Sequence, residues 1–314
     1  NTAQRWATFL RRMGHSVSVQ VEWDSSRADL MLALHARRSY ASIRRFAERH
    51  PELPLIVTLT GTDLYRDIRD DRNAQESMQL ATRLVVLQER GLDELAPALR
   101  AKTHVIYQSA RTVESVPPSK KYFEVCVIGN LREEKDPFRC ALAAAMLPEN
   151  SDIHISHMGR ALDDCMARRA QTLMEKNPRY RWLGELPHGR VRNRLARCRL
   201  MVISSVMEGG ANVVSEALAA GVPVIASDIS GNVGMLGADY AGYYPCRDQR
   251  ALADLLHRAE TSPEFYDLLK AQCARRQPLV EPEQELAGLK QLITSAISSS
   301  PDGPGPRTHA GTAS

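Results

Sequence analysis

The chain has 314 residues, 43% of them hydrophobic and 25% charged, which fits a soluble protein of two ordinary domains, each with its own core. Its net charge of +4 suits small anionic ligands but is too diffuse for nucleic acid, so no nucleic-acid partner is expected. No apolar run reaches transmembrane length and no signal-peptide pattern is present, so no membrane partner is expected either.

Aromatic residues make up only 5%, so the cores must be built mainly from Leu, Val, Ile and Ala. Six cysteines (Cys126, Cys140, Cys165, Cys198, Cys246 and Cys273) show neither a C-x-x-C pair nor metal-site spacing. Scattered thiols point to a reducing, cytoplasmic setting, with Cys126 a core filler in a strand.

In chain order, Thr2 to Leu10 reads as a helix with no strand before it. An α/β domain normally begins with a strand and a glycine-rich turn, so an N-terminal strand is expected to be missing. Gly14 closes that helix, and the alternation Val17 to Val21 predicts a strand. Further strands are expected at Asp29 to Leu34, Leu55 to Thr60, Arg83 to Leu87 and Thr103 to Tyr107, with a basic helix from Ser39 to His50. Ser109 to Lys121, containing Pro117-Pro118, reads as a linker. A second series follows at Glu124 to Ile128, Ile153 to His157, Tyr180 to Leu183, Leu200 to Ser204, Val222 to Ala226 and Ala241 to Tyr244.

Short apolar strands alternating with helices are the signature of parallel, doubly wound sheets. The expected architecture is α/β, two Rossmann-like domains facing a cleft, with ligands at the carboxyl ends of the strands. The expected divisions are 1–112, 113–280, a helix at 281–297 returning to the first domain, and a disordered tail at 298–314 rich in Pro and Gly.

The most informative stretch is Glu208-Gly209-Gly210-Ala211-Asn212-Val213-Val214-Ser215-Glu216, in which two carboxylates stand in an E-x7-E frame. The glycines let main chain approach a ligand, and the first turn of the following helix offers N–H donors to a diphosphate or sugar. Glu216 lies two turns along, and a carboxylate is a natural acceptor for a ribose diol. Gly221 stops the helix and Pro223 prevents its resumption. The segment resembles the donor loop of retaining GT-B glycosyltransferases like those of family 4. The resemblance implies that Glu208, Gly209, Gly210, Ala211 and Asn212 hold a sugar and that Glu216 holds the nucleotide ribose.

Gly129 to Phe138 leaves the first strand of the second series, with Asp136 expected as helix N-cap and Pro137 as first helical residue. Arg132 and Lys135 would there grip a diphosphate and act in catalysis by neutralising it. Lys135 matches the family's Lys, whereas Asn130 stands where its Arg usually is and Arg132 is displaced. Gly159 ends the next strand, where the family brings Gly close to the nucleotide, and Gly184-Glu185-Leu186-Pro187 resembles the loop that meets the uracil. His154 and His157 lack a third ligand partner, and no D-x-D site is found, so neither metal nor cofactor is expected. Positive side chains and helix dipoles would stabilise the departing diphosphate.

On the other side, Leu34-His35-Ala36-Arg37-Arg38-Ser39 and Thr60-Gly61-Thr62-Asp63-Leu64-Tyr65-Arg66-Asp67 each end a strand, and Asn1, Thr2 and Arg5 follow the strand expected to be missing. Gly61 or Thr62 occupies the place where many family 4 enzymes carry a His. Together with Tyr107-Gln108-Ser109-Ala110 and Gly129 to Phe138, these segments resemble the selenosugar synthases of selenoneine biosynthesis, over residues 1 to 297. The resemblance implies transfer of the hexose of UDP-N-acetylglucosamine or UDP-glucose to selenophosphate, giving a selenosugar, UDP and phosphate. A multiply charged acceptor needs cations and hydroxyls, which Arg5, Arg37, Arg38, Ser39, Thr60, Gly61 and Thr62 would supply, while Asp63 and His35 are the available acid/base groups. The alternatives are a transferase for another small acceptor, a UDP-sugar epimerase, or a sugar-nucleotide sensor. The oligomeric state is not legible.

Overall fold

Runs of aliphatic residues too short to be helices become strands here, and all of them pair in parallel. The structure, a computed structural model, describes residues 2–112, 117 and 121–298. Asn1, most of 113–120 and the tail beyond Ser298 lie outside the described residues, and with them part of the expected linker and the expected disorder.

Contacts divide the described chain into two units: one comprises 2–86, 95–106 and 286–298, the other 87–94 and 107–285. Neither unit is one contiguous stretch of sequence. In the first unit the order is α1 (Thr2–Arg12), β1 (Met31–Leu34), α2 (Tyr40–Arg49), β2 (Leu55–Thr58), α3 (Ile68–Asp70), α4 (Arg72–Leu80), β3 (Arg83–Val86), α5 (Pro97–Arg100) and β4 (Thr103–Val105). The sheet runs β1-β2-β3-β4, with Leu34 beside Thr58 and Thr58 beside Val85. Ile43 and Phe46 of α2 are fully buried, as are Ile56 and Leu84. The Asp71 side chain accepts from the Ala74 amide at 2.9 Å and so caps α4.

The second unit contains β5 (Phe123–Ile128), α6 (Arg139–Ala144), β6 (Ile153–Met158), α7 (Asp164–Lys176), β7 (Tyr180–Trp182), α8 (His188–Leu195), β8 (Leu200–Ile203), α9 (Asn212–Ala219), β9 (Val224–Ser227), α10 (Ser230–Leu236), β10 (Tyr243–Tyr244), α11 (Gln249–Thr261) and α12 (Pro263–Arg276). Its six parallel strands run β10-β9-β8-β5-β6-β7. The chain winds one way through β5, β6 and β7, then returns to the other side of β5 with β8. The switch point therefore lies between β5 and β8, and their carboxyl ends are where such a sheet binds a ligand. A last helix, α13 (Pro282–Ser298), starts in the second unit, but its residues from Leu286 belong to the first. There Leu289 and Leu292 are fully buried, and the Ser295 carbonyl accepts from Arg83 at 2.9 Å.

Two expectations are corrected. Val17 to Val21 forms no strand: Val19 is 41% and Val21 100% exposed, because alternation yields a strand only where a neighbour supplies the ladder, and none of the described strands pairs with this segment. Asp136 does not open a helix. Glu133–Lys135 form one 3-10 turn, Asp136 ends it in the left-handed region at φ 41°, and α6 begins only at Arg139. Pro137 disfavours the right-handed conformation for the residue before it, and Asp tolerates the left-handed one. The Asp136 carboxylate pairs instead with Arg139 at 2.7 Å.

His157 of β6 is buried, with Nδ1 2.8 Å from the Tyr180 hydroxyl and Nε2 3.2 Å from the Gly129 carbonyl. The carbonyl can only accept, so the ring proton is on Nε2 and Tyr180 donates to Nδ1. Burial holds its pKa down at about 4, against an ordinary 6.5. The unfolded chain thus takes up a proton first as the pH falls. His157 contributes stability that is whole above pH 6.5 and is lost progressively toward pH 4, on the order of 3 kcal/mol. An NMR titration of the His157 ring should show a midpoint near 4; a midpoint at 6 or above would contradict the buried, neutral assignment.

Candidate active site

The turn after β5 is built on backbone contacts at the strand ends. A Cβ on Gly159 would lie 1.9 Å from the Gly129 carbonyl oxygen, so only glycine lets β5 and β6 end so close together. The space beside Gly159 is thus taken by protein, and its own carbonyl accepts from Trp182 Nε1 at 2.8 Å. Asn130 Oδ1 accepts from the Arg160 amide at 3.0 Å, which keeps Asn130 in the turn. Arg132 follows in extended conformation, half-buried; its carbonyl accepts from the Lys135 amide at 3.0 Å, and its side chain makes no hydrogen bond or ion pair to the described residues. Lys135 Nζ donates to Glu208 Oε1.

Glu208 comes from the loop after β8, and that loop is fastened to the β5 turn. Ser204 Oγ donates to the carbonyls of Lys135 at 3.0 Å and Asp136 at 2.9 Å, and the Val206 amide donates to the Glu134 carbonyl at 2.9 Å. Ser205 Oγ adds a bond of 2.6 Å to Glu208 Oε1. Behind the loop, a Cβ on Gly231 would stand 1.8 Å from the Glu208 carbonyl oxygen, and one on Gly210 2.5 Å from Leu87 Cβ. Gly209 completes this packed bend. Ala211 then precedes α9 with no side-chain cap, so the amides at the start of Asn212–Ala219 rely on other partners.

Glu216 follows one turn later, and Gly221 closes α9 at φ +68°. The Glu216 side chain is only 15% exposed, and its Oε1 lies 2.8 Å from Nε2 of His188, the first residue of α8. Sequence reasoning missed His188; the one signal was its place directly after the Gly184 to Pro187 loop. The switch point thus brings Lys135 and Glu208 into contact, keeps Arg132 nearby in sequence but unpaired with the described residues, and sets Glu216 on the helix that follows. Among the described residues no three His, Cys, Asp or Glu side chains group as a metal site.

In the first unit, the loops after β1 and β2 are joined by one carboxylate. Asp63 is fully buried; Oδ1 accepts from the Thr60 amide and hydroxyl, each at 2.7 Å, and Oδ2 from the Ala36 amide at 2.9 Å. Asp63 opens a single wide π-helical turn, Asp63–Asp67, of a kind often found at functional sites. His35 adopts φ +77°, unusual for a residue with a side chain. Its Nδ1 accepts from the Arg38 amide at 3.3 Å, which places the ring proton on Nε2, 3.0 Å from Thr62 Oγ1. Burial lowers the His35 pKa, opposed by the nearby Asp63 and Asp67 carboxylates and aided by Arg38 and Arg37.

Arg37 is exposed, with Nε 3.2 Å from Asp67 Oδ2, and Arg38 is exposed beside it. The Ser39 hydroxyl donates to the Leu34 carbonyl at 2.8 Å and that of Thr60 to Asp63, so both point inward. Gly61 and Thr62 link β2 to the wide turn, and Arg5 lies on α1.

Two substitutions test these accounts. Asp63→Asn replaces an acceptor of three bonds by a group with only one acceptor oxygen, and should lower the unfolding free energy by about 1–3 kcal/mol. Gly231→Ala should cost a similar amount through overpacking, whereas Gly189→Ala, in α8 with nothing within 4 Å, should be neutral or stabilising. Denaturant titration measures all three; equal stability of Gly231→Ala and Gly189→Ala would refute the close packing behind Glu208.

Residues 109–276 match the family described as glycosyl transferases group 1. No curated protein matches the chain. Among solved structures it is similar to HepE of Anabaena in complex with UDP-glucose, at 16% identity and TM-score 0.68 over 86% of this chain and 79% of that one. It is also similar to sucrose-phosphate synthase of Thermosynechococcus elongatus, at 16% identity and TM-score 0.70 over 95% and 78%. The pneumococcal O-GlcNAc transferase GtfA, in complex with UDP and GlcNAc, aligns at 15% identity and TM-score 0.67 over 85% and 57%. At these identities the likeness is one of fold, the α/β fold of GT-B enzymes with parallel sheets. The family match covers more than half of the chain, which therefore belongs to the group 1 glycosyltransferases.

Proposed function

We propose that the chain is a selenosugar synthase, which transfers the hexose of UDP-N-acetylglucosamine or UDP-glucose to selenophosphate. The selenium attacks C1 of the hexose, the bond from C1 to the diphosphate oxygen breaks, and UDP departs. Water added across the Se–P bond then yields the selenosugar and phosphate. In this reading Glu208, Gly209, Gly210, Ala211 and Asn212 hold the sugar, Glu216 holds the ribose, and Arg132 and Lys135 take up charge on the departing diphosphate.

The observation that carries the acceptor half is that the acidic and histidine side chains among the described residues of the His35 to Ser39 and Thr60 to Asp67 loops are already paired within the protein. Asp63 already accepts three hydrogen bonds, both ring nitrogens of His35 are engaged, and Asp67 is ion-paired with Arg37 and Arg66. The exposed groups are Arg37, Arg38 and Arg66, the last paired with Asp67. Such a surface suits an acceptor that arrives ionised and already nucleophilic, and selenophosphate is one. Arg37 and Arg38 would bind it, with Thr62 donating from its hydroxyl, while Asp63 and His35 hold the loops rather than move a proton. Cys126, Cys140, Cys198 and Cys273 are buried free thiols, which supports a reducing cytoplasmic setting, and no helix among the described residues is long and apolar enough to cross a membrane.

The protein should release UDP when given a UDP-hexose and selenophosphate, and far less with phosphate or thiophosphate. Release with thiophosphate alone would favour another anionic acceptor at the same arginines, and no release with any would remove the transferase reading. Lys135→Ala and Glu216→Ala should weaken UDP-sugar binding about tenfold or more, whereas Arg37→Ala should spare it and lower turnover by a similar factor. Equal loss of donor binding in Arg37→Ala would show the two halves of the site to be misassigned.

A further inference from the structure

We infer that His188 is a positioning residue for the nucleotide ribose, acting by holding the Glu216 carboxylate in the plane a cis-diol requires. The inference rests on the donor reading of Glu216 given above. A glutamate on the second turn of a helix has three side-chain torsions, and fixing them costs rotamer freedom that a free carboxylate would lose on binding. His188 removes that freedom in advance. Its Nε2 is 2.8 Å from Glu216 Oε1, and an ionised carboxylate only accepts, so the ring nitrogen donates. Each carboxylate oxygen has two acceptor directions, so the second direction on Oε1 and both on Oε2 remain for two vicinal hydroxyls.

The surroundings favour this over an ordinary surface pair. Exposed ion pairs contribute little because both partners are solvated and mobile, but here the exposures are 15% for the Glu216 side chain and 69% for that of His188. The base of α8 is anchored by buried Val191 and Leu195, by Arg192 donating to the Arg111 carbonyl at 3.0 Å, and by Arg194 donating to Glu124 at 3.1 Å. His188 is therefore carried by a fixed helix while its ring adds little to the core. Its contact with a mostly buried acid serves the acid's orientation more than the stability of the fold.

The test is the affinity of the full chain and of His188→Ala and His188→Gln for UDP and for 2′,3′-dideoxy-UDP, by calorimetry, with a thermal midpoint for each. His188→Ala should bind UDP about tenfold more weakly, the factor that corresponds to about 1.4 kcal/mol. It should bind dideoxy-UDP as the unaltered protein does, because the penalty exists only when the diol is present. His188→Gln, which keeps a donor, should recover most of the UDP affinity. In turnover, His188→Ala should raise the KM for UDP-sugar and leave kcat close to its starting value. Equal weakening toward both nucleotides, or no weakening toward UDP, overturns the inference and leaves the donor reading standing. Failure of the unaltered protein to bind UDP overturns the donor reading and the inference with it.

Discussion

The site in the second unit depends on one constraint: two loops that leave neighbouring parallel strands in different directions must be tied together after the ladder has ended. Between β5 and β8 the tie is Ser204, whose hydroxyl reaches the carbonyls of Lys135 and Asp136, helped by the Val206 amide on Glu134. Only with those bonds in place do a lysine from one loop and a glutamate from the other meet with little exposure to water. The Lys135–Glu208 contact is best seen as the visible end of a backbone arrangement. In that arrangement the glycines at 210 and 231 let neighbouring segments approach closer than any side chain allows.

The first unit solves the same problem differently. Its two strand-end loops are joined through the side chain of Asp63, a buried charge satisfied by three donors. An unsatisfied carboxylate in that position would be costly, so the wide turn from Asp63 to Asp67 and the left-handed His35 follow as the geometry that brings Ala36, Thr60 and the acid together. Arg37 and Arg38 beside it are left facing solvent.

Much of this was legible in the residues. Strand positions in both units could be read from aliphatic runs, since a parallel strand buried on both faces leaves a continuous apolar stretch. The helix from Asn212 could be read from its glycine stop at Gly221 and the Pro223 behind it. What escaped reading has a common physical cause. Val17 to Val21 alternates like a strand, but whether a neighbour exists to pair with it is not written in the alternation. Asp136 looks like a helix cap because the competing 3-10 turn is stabilised by contacts from Ser204 and Val206, nearly seventy residues on. His188 is a single residue with no period or spacing to mark it, and only folding puts it beside Glu216. Asp63 was legible as an acid but not as one that joins two loops, since its donors are mostly backbone amides.

The path of the chain carries a practical consequence. It passes from one unit to the other after Val86, Glu94, Ile106 and Glu285, so neither unit is a single stretch of sequence. Cutting the polypeptide at residue 112 would strip the first unit of Leu289 and Leu292 and the second of Leu87, each of them buried. Neither half is suited to being produced as an isolated fragment, and any attempt to exchange one half with a related enzyme must carry α13 along with the sheet it covers.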